Sequence, residues 1–344
     1  MGTALAAVVE PDAARASEAA ERYSIPSFAS VEDLLSSDLR IDAAAVAVPT
    51  IHHHAVARRL LDAGIDVLLE KPLAASLAEA DDLIALAAER GRILQPGHLE
   101  RFNPAVLAVE PTLRRPMFFE AHRLSVFTPR SLDVDVVLDL MIHDLDIVLT
   151  FARSPVREVR AVGLPILSPK VDIANVRVEF ESGCVANFTA SRVSTERVRK
   201  LRFFEPRQYV SIDYARRDVL VIRVDAGRLG AFAGGDVADA NLSVEGAIGA
   251  GKIDLEQIAA LGAAGLEGLS HPSPGLSIAK PEVTAGEPLR LEIEAFLDAV
   301  RTRKAPRVTA QQGRDALALA LEIQATMAAH AQRAGLADFF RATT

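Results

Sequence analysis

The sequence predicts an α/β fold with two domains: a parallel sheet with flanking helices, followed by a domain built on a large, mostly antiparallel sheet. Over the first hundred residues, short apolar runs alternate with longer amphipathic stretches, which is the pattern of βα units. From Asn175 onward, strands with alternating polar and apolar residues follow one another. The pattern changes after Asn103-Pro104, so we predict one domain over residues 1–104 and a second over residues 105–344.

Local signals predict each element of the first domain. The continuous apolar run at residues 43–48 predicts a strand buried on both faces. A helix over residues 31–35 begins after the capping residue Ser30, and a helix over residues 54–63 stops at Gly64. The predicted strands are residues 5–9, 43–48, 67–69 and 93–95, and the predicted helices are residues 13–23, 31–35, 54–63 and 77–89.

The second domain is predicted from strand alternation and from its turns. Glu181-Ser182-Gly183 predicts a hairpin turn, and the nearly all-apolar residues 136–151 predict one buried helix. Residues 227–286 are rich in Gly and Ala with weak periodicity, so we interpret them as a variable excursion with some helix. The remaining predicted elements are strands at residues 176–180, 184–191 and 201–214, and helices at residues 289–300 and 313–331.

The composition excludes several classes of protein. The single cysteine, Cys184, rules out an intrachain disulfide framework and a multi-thiolate zinc site. A formal net charge of -8 argues against a broad nucleic-acid surface. No uninterrupted apolar run reaches the roughly 18 residues of a membrane span, and the start of the chain lacks the basic region of a signal peptide. We therefore expect a cytoplasmic globular protein, and because His52-His53-His54 cannot all point one way, no metal site.

Glu10 follows the first predicted strand, at the sheet edge where doubly wound folds bind their ligands. An acidic side chain there can accept hydrogen bonds from both hydroxyls of an adenosine ribose and would repel a 2′-phosphate. This predicts NAD as the cofactor in preference to NADP. The alternative is that Glu10 is a turn carboxylate before Pro11.

Glu70-Lys71-Pro72 follows another strand of the same sheet. The triplet places the Lys71 cation at the ligand-binding edge, where it could touch a nicotinamide and polarise a substrate hydroxyl, while Pro72 fixes the turn. The alternative is that Lys71 is simply a solvated lysine.

The buried helix at residues 136–151 carries three polar residues, Asp139, His143 and Asp146, at positions i, i+4 and i+7. They fall on one stripe, and buried acidic groups are costly unless they are paired or face a polar cavity. An active site explains this pattern. The alternative is a core histidine whose hydrogen bonds a neighbouring carboxylate satisfies.

Four arginines, Arg101, Arg123, Arg130 and Arg192, could bind a diphosphate through bidentate hydrogen bonds. Most single arginines lie on the surface, which is the alternative for each of them.

Together these residues resemble the glucose-fructose oxidoreductase, inositol dehydrogenase and rhizopine catabolism (Gfo/Idh/MocA) family along essentially the whole chain. The resemblance implies a Rossmann NAD(P)-binding domain and an α/β domain whose open sheet binds substrate and pairs with further subunits, as a homodimer or homotetramer. The matching stretches are Val8-Val9-Glu10-Pro11-Asp12, Val48-Pro49-Thr50 with His53, Val67-Leu68-Leu69-Glu70-Lys71-Pro72-Leu73, Gly97-His98, Arg101-Phe102-Asn103-Pro104 and Asp139-Leu140-Met141-Ile142-His143-Asp144-Leu145-Asp146.

The resemblance also implies roles for single residues. Lys71, Asp139 and His143 are the expected catalytic residues of a sugar-hydroxyl oxidation. His143 suits the base because an unperturbed imidazole has a pKa of roughly 6.5, although Lys71 and His143 could exchange roles. The expected cofactor contacts are Glu10, Pro49, Thr50, His53, Glu70, Lys71 and Pro72.

Within the family, residues 95–104 and 120–124 are similar to bacterial enzymes that oxidise the 3-hydroxyl of UDP-N-acetylglucosamine. A free sugar or cyclitol is the alternative substrate. A non-catalytic sugar-nucleotide binding or scaffold protein is a second alternative, and a metal-dependent hydrolase is a remote third. The expected substrate contacts are His98, Arg101, Asn103, Arg123, Asp146 and Arg192.

The start of the chain departs from the family pattern. Family members begin with a strand and a G-x-G-x-x-G-type loop that receives the pyrophosphate, and nothing in this sequence matches it. In the usual strand order, the absent strand would lie between residues 5–9 and residues 43–48. We expect either a gap there or direct pairing of those two strands. The chain would then be a shortened protein, or its recorded start would lie downstream of the true one, which we favour.

Overall fold

The computed structural model describes residues 2–128, 134–224 and 276–336. The chain divides into two compact units, Met1–Leu99 with Leu289–Leu319, and Glu100–Pro288 with Ala320–Thr344. Residues 289–319 thus fall in the first unit, although we predicted them in the second domain. Arg303 accounts for part of this grouping, because its guanidinium donates to Asp66 Oδ2 and to the Gly91 carbonyl, both at 2.6 Å. The boundary after residue 104 stays a prediction.

The first unit contains two small parallel sheets. Strand β1 (Val8–Val9) pairs with β2 (Ser27–Phe28), and β3 (Ala43–Val46), β4 (Asp66–Glu70) and β5 (Leu94–Gly97) form the other sheet. Strands β1 and β3 belong to separate sheets, so of the two expected outcomes the gap is the one found. The short β2 was not predicted.

Strand β3 corrects one prediction. We expected burial on both faces, but Ala45 is exposed and only Val46 is buried. The reason is position: β3 is an edge strand of its sheet, whereas β4 lies between two strands and is buried from Asp66 to Leu69.

Capping residues fix the helices of the first unit. The Asp12 side chain accepts from Arg15 N, and Ser30 accepts from Asp33 N, each within the first turn of its helix. The first, second and fourth helices have the predicted bounds, whereas the third starts and ends one residue earlier than predicted. The helices are α1 (Ala13–Tyr23), α2 (Val31–Leu35), α3 (His53–Asp62) and α4 (Leu77–Glu89), joined by the C-terminal α7 (Pro288–Thr302) and the first part of α8 (Ala310–Arg333).

The second unit is built on an eight-stranded sheet in the order β13-β12-β11-β10-β6-β9-β8-β7. Only β6 and β9 are parallel neighbours among these described strands, so the sheet is mostly antiparallel, as predicted. The strands are β6 (Phe118–Leu124), β7 (Val156–Leu164), β8 (Ile173–Phe180), β9 (Val185–Ser191), β10 (Val198–Glu205), β11 (Gln208–Asp213), β12 (Asp218–Val224) and β13 (Leu276–Ala279).

Two predictions for this unit were wrong in detail. Residues 201–214 form parts of two strands, β10 and β11, because Pro206 interrupts the alternation and Arg207 takes a positive φ of 66° in the turn. The single helix at residues 136–151 is instead a π-helical segment, Val137–Met141, followed by α6 (Ile142–Ala152). Most of the predicted excursion at residues 227–286 lies outside the described residues.

Helices α5 (Pro104–Val109) and α6 are the remaining described helices of this unit, with the end of α8. Phe151 of α6 meets Phe203 of β10 edge-on at 6.0 Å between ring centroids. No helix within the described ranges combines the length and apolarity needed to cross a bilayer.

Candidate active site

Glu10 lies at the carboxyl end of β1, beside an open groove of about 290 Å³ whose wall also includes Arg15, Arg22 and Tyr23. Its Oε1 accepts from the backbone N–H of Asp12 at 2.9 Å and lies 3.5 Å from the Arg15 guanidinium. The carboxylate therefore has a fixed position with part of its surface facing the groove. That is the arrangement a ribose-binding carboxylate needs.

His53 joins the ends of two neighbouring strands. The side chain is 1% exposed, with Nδ1 at 2.8 Å from the Pro72 carbonyl oxygen and Nε2 at 2.9 Å from the Val48 carbonyl oxygen. Both ring nitrogens thus face backbone of the protein itself. This differs from the predicted cofactor contact: His53 holds the loop after β3, with Pro49 and Thr50, against the turn that carries Lys71.

Backbone and side-chain contacts together fix the Glu70-Lys71-Pro72 turn. Oε2 of Glu70 accepts from the Lys71 N–H at 3.2 Å, and the Lys71-Pro72 peptide bond is cis. Gly97 of β5 lets Glu70 lie close, because a Cβ at this position would be 3.1 Å from Glu70 Cα and 3.2 Å from Glu70 Cδ. Lys71 itself is partly exposed, as a substrate-contacting cation must be.

His98 is buried rather than open to a ligand. It is 1% exposed, and a Cβ at Gly313 of α8 would lie 2.7 Å from Pro96 Cγ and 3.6 Å from His98 Nε2. The close approach of α8 covers this side of β5, so the predicted substrate contact would need the imidazole to become accessible.

Arg123 is the centre of a buried ionic network in the second unit. Its Nε and one terminal nitrogen donate to the two oxygens of Asp144 at 2.7 and 3.0 Å, and the other donates to Glu100 Oε1 at 3.0 Å. Burial lowers the pKa of Arg123, but the Asp144 and Glu100 carboxylates outweigh burial and hold the pKa above its usual value. The guanidinium therefore stays charged, 5.1 Å from the centre of the Tyr214 ring.

Asn103 completes this network by donating from Nδ2 to Glu100 Oε2 and to the Tyr214 carbonyl oxygen, both at 3.0 Å. The expected substrate contacts Asn103 and Arg123 are therefore internal groups of the second unit. The sequence did not reveal this role because their partners are distant along the chain.

Arg101 and Asp146 are paired with each other. Both are at most 3% exposed, with Arg101 Nη1 at 3.5 Å from Asp146 Oδ1 and at 2.5 Å from Thr150 Oγ1. Arg192 is likewise buried and donates to the Val134 carbonyl oxygen at 2.6 Å. These three expected substrate contacts lie inside the unit, and Arg130 lies outside the described residues.

Asp139 and His143 are partly exposed and flank the junction between the π-helical segment and α6. Asp135 Oδ1 fixes the start of the segment by accepting from the N–H groups of Val137 and Leu138 at 3.0 and 3.1 Å. The predicted stripe with Asp146 is thus divided, because i to i+5 bonding changes the helical repeat and Asp146 is buried. Single π turns inside helices occur frequently at functional sites.

Asp172 anchors the loop that leads into β8. Its Oδ2 accepts from the backbone N–H groups of Ile166, Leu167 and Ser168 at 2.6 to 2.8 Å. Burial acts to raise the pKa of Asp172, but the Ser168 hydroxyl and these N–H groups lower it below its usual value. Arg192 Nε lies 3.5 Å from the same carboxylate.

We expect Asp172→Asn to lower the free energy of unfolding by about 1–3 kcal/mol at pH 7, because an amide cannot accept all these bonds. A lowered native pKa stabilises the fold above the unfolded-state pKa of roughly 3.9, and this stabilisation is lost as the pH falls. Urea unfolding at several pH values measures both effects. The exposed Asp38→Asn is the control, and equal stabilities of Asp172→Asn and wild type at pH 7 would contradict the anchor.

The fold defines a class of protein: an α/β protein with one unit of parallel strands and helices and a second unit built on a large, mostly antiparallel sheet. Two protein-family models match the chain. The model described as "Oxidoreductase family, NAD-binding Rossmann fold" matches residues 1–98, and the model described as "GFO/IDH/MocA C-terminal domain" matches residues 105–207. The chain is 34% identical to UDP-N-acetylglucosamine 3-dehydrogenase of Acidithiobacillus ferrooxidans over 96% of this chain and 91% of that protein. It belongs to the Gfo/Idh/MocA family of NAD-dependent sugar oxidoreductases.

Solved structures and a second sequence relative agree with this assignment. The structure of UDP-N-acetylglucosamine 3-dehydrogenase from the same bacterium superimposes with a TM-score of 0.78 at 32% identity, covering 94% of this chain and 90% of that one. Inositol 2-dehydrogenase of Rubrobacter xylanophilus is 32% identical, over 47% of this chain and 49% of that protein. An oxidoreductase domain protein from Kribbella flavida, at 17% identity and a TM-score of 0.72, shares the fold.

Proposed function

We propose that this protein is a dehydrogenase that oxidises the C3 hydroxyl of UDP-N-acetylglucosamine with NAD. The observation that carries the proposal is the extent of similarity: the relative of that name matches along 96% of the chain, whereas inositol 2-dehydrogenase matches along 47%. Both units are thus similar to one dehydrogenase, including the segments that contain Lys71 and His143.

The residues present fit NAD at two places. The Glu10 carboxylate faces an open groove at the end of β1, and Lys71 is partly exposed at the end of β4. Glu10 would hold the adenosine ribose, and Pro49, Thr50 and the Glu70-Lys71-Pro72 turn would hold the nicotinamide end. When bound, NAD supplies the hydride acceptor of the oxidation.

The chain's own residues manage the proton of the substrate hydroxyl. Lys71 orients the hydroxyl and stabilises the negative charge that develops on its oxygen. His143 removes the proton as general base, and Asp139 keeps His143 in position. His53 and Glu70 act on Lys71 through the backbone of its turn, so we propose that they are positioning residues.

Following the absorbance of reduced nicotinamide tests this function directly. We expect NAD reduction with UDP-N-acetylglucosamine at NAD concentrations raised to saturation, and much slower reduction with N-acetylglucosamine or myo-inositol. Calorimetric titration of the sugar nucleotide provides a second readout. Binding without reduction would favour the scaffold alternative, and faster reduction with inositol would favour the cyclitol alternative.

We expect Glu10 to set the cofactor preference. Glu10→Ser removes the charge that repels a 2′-phosphate and frees Arg15, now 3.5 Å away, to bind it. The ratio of kcat/KM with NAD to kcat/KM with NADP should fall at least about tenfold, which corresponds to ~1.4 kcal/mol in the free energy that discriminates the two cofactors. Glu18→Gln, a carboxylate of the same groove, is the matched control. An unchanged ratio would assign Glu10 to the turn alone.

We further propose a homodimer or homotetramer that assembles through the open face of the eight-stranded sheet. Val162 of β7 is 36% exposed there, and β7 and β8 alternate covered and exposed residues. Light scattering measures the oligomer, and Val162→Arg should lower its mass. The cytoplasm is the proposed compartment, since a chain whose single cysteine is Cys184 has no intrachain disulfide and fits a reducing environment.

A further inference from the structure

Glu292 is a buried carboxyl group on α7 to which neither the sequence nor the proposed reaction assigns a role. It is 1% exposed, and its Oε1 has no hydrogen-bond partner among the described residues. Burial, together with the nearby Glu70 carboxylate, raises the pKa of Glu292 to about 8. At neutral pH the group is therefore largely protonated and can donate a hydrogen bond.

The contact of Arg303 with β4 bears on where Glu292 lies. Arg303, just beyond α7, is bonded to Asp66 at the start of β4. From residue 303 back to residue 292 a helix covers roughly 16 Å, and from Asp66 to Glu70 a strand covers roughly 13 Å. Asp66 and Glu70 lie on the same face of the sheet, since side chains alternate along a strand. A helix that runs back along β4 from Arg303 would therefore bring Glu292 close to Glu70, in agreement with the effect of the Glu70 charge on Glu292.

Gln95 adds a second polar group without a partner to the same face. It pairs in register with Leu68 of β4, and it is 0% exposed with neither amide atom hydrogen-bonded among the described residues. Asp66, at the far end of β4, is paired with Arg303. Glu70 is therefore the charged group of this face whose negative charge raises the pKa of Glu292.

We propose that Glu292 is a positioning residue for Lys71: its buried carboxyl group, otherwise unpartnered within the described ranges, donates a hydrogen bond to Glu70, whose Oε2 accepts from the Lys71 backbone N–H at 3.2 Å. This inference rests on the proposed role of Lys71 in the reaction. When Glu292 loses its proton, two carboxylates face each other in a buried place and Glu70 is displaced from the turn.

Two substitutions separate this role from simple packing. Glu292→Gln keeps a neutral donor of the same shape, so we expect near wild-type kcat at pH 7 and no loss of rate between pH 7 and 9, the range around the Glu292 pKa of about 8. Wild type should lose rate across that range. Glu292→Ala should lower kcat about tenfold at pH 7 with a smaller change in KM. Glu294→Gln, two residues along on the exposed side of α7, is the matched control.

Amide hydrogen exchange at Lys71 gives a readout that does not require activity. We expect about tenfold faster exchange in Glu292→Ala, and wild-type protection in Glu292→Gln and Glu294→Gln. The free energy of unfolding gives a second readout without activity. A raised native pKa stabilises wild type at pH values below the pKa of the unfolded state, and this stabilisation is lost as the pH rises through about 8. Glu292→Gln should lack this pH dependence.

The outcomes are distinguishable from failure of the proposed function. If no sugar nucleotide reduces NAD but the Lys71 exchange and the pH-dependent stability behave as described, the proposed function fails and the link from Glu292 to Lys71 stands. If Glu292→Ala leaves Lys71 exchange unchanged while activity is present, the positioning role is overturned. The role is also overturned if Glu292→Gln keeps the alkaline loss of rate.

Discussion

Lys71→Met is expected to lower kcat for sugar-nucleotide oxidation by roughly 10²- to 10⁴-fold, the range that removal of a proton-transfer or charge-stabilising group produces. The substitution removes the cation but keeps an unbranched side chain at a partly exposed position. The turn itself depends on the backbone of residue 71 and on Glu70, so it should persist. The expected defect is therefore in kcat more than in stability.

Steady-state rates and thermal unfolding of the same preparation measure the two effects. Lys304→Met, at an exposed lysine of the same unit, is the matched control and should change neither quantity. A Lys71→Met protein that keeps most of its kcat would remove Lys71 from the catalytic set. A large fall in melting temperature would instead assign Lys71 a structural role.

Arg123→Met is expected to produce the largest loss of stability, about 3–5 kcal/mol, because it leaves Asp144 and Glu100 as buried carboxylates without their counter-charge. Arg123 is 3% exposed and donates to both carboxylates, so solvent cannot replace its hydrogen bonds. The loss should appear as a lower urea midpoint for unfolding.

A double variant tests the electrostatic cause. Combining Arg123→Met with Asp144→Leu removes one of the uncompensated carboxylates, so we expect it to recover part of the lost stability. Arg160→Met, which breaks an exposed ion pair with Glu158, should have little effect. If Arg123→Met were as stable as Arg160→Met, the network would not be what holds α6 against β6.

Local signals in the sequence predicted the helices well. The bounds of α1, α2 and α4 were predicted because their ends depend on adjacent residues, such as the caps Asp12 and Ser30. Sheet order depends on pairing between distant segments, and the parallel neighbours β6 and β9 are more than 60 residues apart (118 to 185). The π-helical segment had no pattern in the sequence that distinguishes it from an α-helix.

The site was predictable to the extent that motifs mark strand ends. Glu10 and Lys71 were placed at the ends of strands because polar residues follow apolar runs there. The ion pair of Arg123 was not predicted because a sequence does not show which carboxylate lies opposite a guanidinium, and Arg123 and Asp144 are 21 positions apart. Glu292 was missed because a glutamate on an amphipathic helix usually faces solvent.

The measurement that tests the central claim most directly uses UDP-N-acetylglucosamine with deuterium at C3 of the sugar. Oxidation at C3 moves that hydrogen with its electron pair to the nicotinamide, while the hydroxyl proton leaves through a base. We predict deuterium in the reduced nicotinamide, detected by mass spectrometry, together with a 3-keto sugar nucleotide. Reduced nicotinamide without deuterium, or no reduced nicotinamide at all, would contradict the account.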